Sequence, residues 1–99
     1  MELYKNSKMD TLYYNDAPAC TDEQCSVSIS NGIIEVSYIR DGERITYVGP
    51  ERSPGHFELT GNDGRNSKAT LHRFDDGKVL VGKWMYDNYR GLWHIALNK

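Results

Sequence analysis

The chain has 99 residues and a formal net charge of −2, with 26% charged and 38% hydrophobic residues. That length suits one domain, large enough to fold without staples but with a modest core. No apolar run approaches the roughly 20 residues that span a bilayer, and Met1-Glu2-Leu3-Tyr4-Lys5 lacks the apolar stretch of a signal peptide, so the expected setting is the cytoplasm, with no membrane contact.

The first 24 residues read as an irregular N-terminal segment. Met1 to Lys8 is polar, and Thr11-Leu12-Tyr13-Tyr14 is β-prone enough to add an edge strand. Asn15-Asp16-Ala17-Pro18 is a turn signal. Thr21-Asp22-Glu23-Gln24 has the form of a capping box, which fits at most one helical turn. Cys20 and Cys25 are separated by four residues, neither the Cys-x-x-Cys redox spacing nor a pair of metal-binding pairs. In a cytosolic chain both are expected as free thiols.

From residue 25 to 97 the pattern is that of an antiparallel meander. Asn31-Gly32 is a strong hairpin signal, because a type I′ turn needs positive φ at both central positions. Counting outward pairs Ile29 with Ile34, Val27 with Val36 and Cys25 with Tyr38. Asp41-Gly42 then pairs Tyr38 with Ile45 and Val36 with Tyr47. Both turns select one face: Val27, Ile29, Ile34, Val36, Tyr38, Ile45 and Tyr47. Turn chemistry and binary pattern agreeing is a better warrant than either alone.

Gly49 to Gly55 is rich in breakers, and His56-Phe57-Glu58-Leu59-Thr60 follows as a strand with Phe57 and Leu59 inward. A loop runs from Gly61 to Asn66. The last third is three runs, Lys68–Phe74, Lys78–Tyr86 and Tyr89–Leu97, joined by Asp76-Gly77 and Asp87-Asn88. Two-residue turns pair Phe74 with Val79, Leu71 with Gly82, Ala69 with Trp84, Trp84 with Gly91 and Gly82 with Trp93. Ala69, Leu71, Leu80, Trp84, Trp93, Ile95 and Leu97 then share a face. A three-residue loop at Asp75-Asp76-Gly77 is the competing geometry.

The fold expected is all-β: a single domain in which an up-and-down meander of seven or eight strands closes into a small barrel or two-layer roll. Closure hides the apolar face and the sheet edges together. The elements Gly82-Lys83-Trp84 and Gly91-Leu92-Trp93, in such a meander, resemble the calycin-like barrels, the lipocalin, fatty-acid-binding and avidin group. The resemblance is one of fold and covers residues 26–97. In lipocalins the Gly-x-Trp element lies near the N-terminus, so no site residue carries over.

No nucleophile elbow, phosphate-binding glycine loop or metal-ligand spacing is visible. The expectation is therefore no enzyme, no cofactor and no metal. On the inner face Tyr38, Tyr47, Phe57, Trp84 and Trp93 are candidates to line an apolar pocket, with Arg73 the candidate to orient a carboxylate. On the exterior Ile33, Ile39, Phe74, Val79, Val81 and Leu92 are candidates for an interface, since a solvated face should not hold so many apolar side chains. His56, His72 and His94 fall in one exterior row with Val81.

Charge is unevenly spread. Residues 1–64 carry five Lys/Arg and eleven Asp/Glu, and residues 65–99 carry seven and three. The acidic total and the inward aromatics argue against nucleic acid. The leading functional expectation is a module that pairs with a second copy or another protein through an exterior face. The alternative is a carrier of a small apolar or carboxylate ligand in an aromatic-lined cavity.

Overall fold

The structure, a computed structural model, describes residues 1–62 and 66–99; the central part of the loop expected between Gly61 and Asn66 lies outside the described residues. Eight antiparallel strands follow in chain order: β1 (Glu2–Tyr13), β2 (Cys20–Ser30), β3 (Ile33–Arg40), β4 (Glu43–Ser53), β5 (His56–Gly61), β6 (Lys68–His72), β7 (Val79–Tyr86) and β8 (Tyr89–Ala96). Each pairs with the next and β1 pairs with β8, closing a barrel. There is no helix among the described residues, and so none long and apolar enough to cross a membrane.

The turn residues set the register. Asn31 and Gly32 have φ of 53° and 75°, and Asp41 and Gly42 have 53° and 79°, the left-handed pair that matches strand twist. The ladders from those turns run as counted, Ile29 with Ile34 and Val36 with Tyr47, and in the last third Leu71 pairs with Gly82 and Trp84 with Gly91 as counted there. The inward set is buried as one core, with Ile29 and Ile45 partly covered at its margins.

Three local expectations are corrected. The N-terminal segment is not irregular: β1 is 12 residues long, and its pairing with β8 closes the barrel. Its inward residues are Tyr4, Ser7, Met9 and Thr11. A register shift between Tyr4 and Ser7 breaks the two-residue alternation, and two of the four are small and polar, so no apolar period marks the strand. Thr21–Gln24 is extended as part of β2 rather than a helical turn. Asp22, at φ 56°, accommodates an irregularity opposite Met9 and Thr11.

The third correction concerns Phe74. The β6–β7 ladder ends at His72 and Val81, so Phe74 does not pair with Val79. Instead Gly77 N–H donates to the Phe74 carbonyl at 2.6 Å, with Asp75 at φ 36°. Asp75 and Asp76 thus take the central turn positions, and Phe74 is 95% exposed.

Candidate functional site

The two ends of the barrel differ. At one end Arg73 fills the opening: its Nε donates to the Gly77 carbonyl at 2.7 Å, Nη1 to Glu2 at 3.1 Å and Nη2 to the Tyr4 hydroxyl at 3.2 Å. Tyr4 in turn donates to Glu2. Burial works against the Arg73 charge, and the bonds to Glu2 and Tyr4 outweigh it, so its pKa is raised. Arg73 is therefore a plug residue with its donors in use. Phe57, 2% exposed and opposite Leu71, lies in the packed interior near this end.

The opposite end is open. A cup of about 600 Å³ is bounded by the ends of β1, β3, β4, β7 and β8 and by the β3–β4 turn. That volume is in the range of small-molecule sites. Tyr38, Tyr47, Trp84 and Trp93 line it, so four of the six inward candidates come together and Phe57 and Arg73 do not. Tyr13, Arg40, Tyr86 and Tyr89 complete the aromatic and charged part of the wall.

Contacts between these rings hold the wall. Tyr47 stands edge-on to Trp93 with centroids 4.9 Å apart, and Tyr38 edge-on at 6.1 Å. Tyr13 stands edge-on to Trp84 at 5.3 Å, while the two indoles lie 6.5 Å apart at 30°. Edge-to-face pairs of this kind add roughly 0.5–1.5 kcal/mol beyond burial. The rings are thus preorganised rather than collapsed into the opening.

Arg40 supplies the charge at the rim. It donates to both Glu23 carboxylate oxygens, at 3.1 and 3.2 Å, and its guanidinium lies 5.2 Å from the Tyr38 ring centre. Burial pulls its pKa down, but Tyr38, Glu23 and Tyr13 more than offset that. Asp41 and Glu43 stand beside it on the rim. Burial raises the pKa of the Tyr13 phenol as well.

Tyr13, Arg40, Tyr86 and Tyr89 were not singled out in the sequence. Tyr86 and Tyr89 flank the Asp87-Asn88 turn as a cross-strand pair, and that pairing is the signal that marks them. Tyr13 gives no such signal without knowledge that β1 closes the barrel.

The exterior candidates do not form one patch. Val79 and Val81 lie on β7 and Leu92 on β8, whereas Ile33 and Ile39 lie on β3, with two strands between the groups one way round the barrel and three the other. Phe74 is on the β6–β7 turn. Leu92 is half-buried and pairs with Leu12 of β1.

The histidine row forms in the expected register, His56 opposite His72, His72 opposite Val81 and Val81 opposite His94. The His56 and His72 ring centres are 4.8 Å apart. His94 faces Asp10, with Nδ1 3.5 Å from its carboxylate. Among the described residues no three His, Cys, Asp or Glu side chains converge as a metal site. No protein-family model, curated protein or solved structure matches the chain significantly.

Proposed function

We propose that this protein is a non-enzymatic binding barrel that takes a small, largely apolar aromatic molecule into the open cup. The observation that carries the reading is the contrast between the ends: one is plugged by Arg73 with its donors satisfied, the other keeps about 600 Å³ walled by preformed aromatic rings. Tyr86 packs against the core margin and Tyr89 is exposed at the rim, so neither closes the mouth. The resemblance of the meander with its Gly-x-Trp elements to calycin-like barrels points to the same use of a barrel interior. A carboxylate ligand is less favoured than a neutral one, because Arg73 is at the far end and Arg40 is already bound to Glu23 beside Asp41 and Glu43. The unpaired thiols of Cys20 and Cys25 fit a reducing compartment such as the cytoplasm.

A thermal-shift screen with bicyclic aromatics, neutral and carboxylated, tests this. Neutral members should raise the melting temperature in a saturable way. A flat response across the set would reduce the cup to surface relief.

A second reading, self-association, is supported by Leu12 and Leu92, a cross-strand pair of β1 and β8, with Val81 of β7 diagonal to Leu92. Light scattering at high concentration tests it, and a strictly monomeric protein would count against it.

A further inference from the structure

Two buried polar atoms at the open end have no hydrogen-bond partner, Trp84 Nε1 and Ser67 Oγ. They belong to one wall. Trp84 of β7 pairs with Ala69 of β6, and Ser67 lies two residues earlier on the same inward alternation. A β-carbon on Gly61 would stand 2.7 Å from Ser67 Cβ and 2.9 Å from the Tyr47 ring, so Ser67 and Tyr47 meet above that glycine. Buried polar groups in folded proteins are nearly always paired, and those that are not call for a specific reason.

We propose that the ligand of the cup is a flat aromatic molecule with a hydrogen-bond acceptor on its ring edge, and that Trp84 Nε1 donates to that acceptor. This rests on the cup being the binding site. An indole nitrogen only donates. A carbonyl or ring nitrogen therefore satisfies it, whereas an ammonium group or a hydrocarbon edge does not. Trp84 is 7% exposed, so a bond made there is little competed by water, and a site that loses its acceptor is left with a desolvated donor. Trp84 Nε1 is covered in the free protein, so the proposal requires one neighbour to move on binding, and Tyr13, half-buried at the end of β1 and edge-on to the indole, is the ring placed to do so. Ser67 both donates and accepts, so it tolerates either kind of neighbour and does not narrow the class.

Quinoline and naphthalene differ by one ring nitrogen and make the matched probes. Their affinities for the wild-type protein and for Trp84→Phe are measured by calorimetry at neutral pH, with circular dichroism to confirm that the variant folds. The quinoline-to-naphthalene affinity ratio should fall about tenfold in Trp84→Phe. In the wild type, quinoline should move the Trp84 indole N–H proton downfield, and naphthalene should not. If both probes bind with the same ratio in the two proteins and the indole proton stays in place, the acceptor proposal is overturned while the cup remains a site. Binding of neither probe overturns the cup reading and the proposal together. Should Trp84→Phe fail to fold, the wild-type indole shift alone decides.

Discussion

The indole of Trp84 lies over Gly91: a β-carbon at Gly91 would stand 2.6 Å from ring atoms Cε2 and Cζ2, and 1.9 Å from the carbonyl oxygen of Leu12. Three strands, β7, β8 and β1, meet at that point. The ring could shift, but the Leu12 carbonyl belongs to the β1 backbone, in the ladder that closes the barrel. Gly91→Ala should therefore destabilise by about 2–3 kcal/mol through overpacking. Urea melts giving under 1 kcal/mol would show that the closure there is looser than described.

Core and cup side chains should separate by what their loss costs. Trp93, 2% exposed and in contact with Tyr38 and Tyr47, should cost about 3–5 kcal/mol as Trp93→Ala. Tyr89 lines the cup at its rim and is exposed. Tyr89→Ala should leave stability within about 0.5 kcal/mol of wild type and weaken binding of an aromatic probe several-fold. Calorimetry beside urea melts reads both.

The plugged end should give an acid-sensitive contribution. The Glu2 carboxyl is held below its usual 4.5 first by the Tyr4 hydrogen bond, against the effect of burial, with Arg73 adding to it. A carboxyl depressed in the folded state adds stability that is complete above 4.5 and is lost as pH falls through the lower folded value. Because Glu2 is exposed, the term is small after solvent screening, about 0.5–1 kcal/mol. Glu2→Gln should be less stable than wild type by that amount at pH 7, and the two should converge at low pH. A gap that stays constant down to pH 2 would contradict the linkage.

The thiols should differ in reactivity. Burial pushes the Cys25 thiol up to about 11, whereas Cys20 is half-buried at the start of β2. The thiolate is the reactive form. At pH 8 one thiol, Cys20, should be alkylated readily and Cys25 only on unfolding. Equal rates for both, followed by mass spectrometry, would contradict this placement.

Most of the sheet was legible because short turns with left-handed residues determine both register and facing. Asn31-Gly32, Asp41-Gly42 and Asp87-Asn88 between them place Tyr38, Tyr47, Trp84 and Trp93 on one interior. His56 opposite His72 was one register compatible with a shared inward face for Phe57, Leu59, Ala69 and Leu71, which the intervening loop did not set, and the structure adopts it. Where a turn did not hold, the pairing failed locally: Phe74 left its strand because Asp75-Asp76 took the turn.

Strand β1 was hidden for a different reason. Ser7 and Thr11 face inward, and small polar residues at inward positions give no hydrophobic period to read. Arg73 was placed on the correct face and grouped with the pocket candidates, but alternation alone could not show which end of the barrel it occupies. Alternation states which side a residue faces, and only closure by β1 brings Glu2 and Tyr4 within its reach. Tyr13 at the mouth was beyond reach for the same cause.

The most direct test of the cup is to map a bound ring onto the barrel. A proton–nitrogen NMR titration of the wild-type protein with quinoline should move resonances of Trp84, Trp93 and Tyr86, saturating at one equivalent, and leave Phe57 and Leu71 unmoved. Shifts confined to Val79, Val81 and Leu92 outside, or no saturable shift at all, would contradict it.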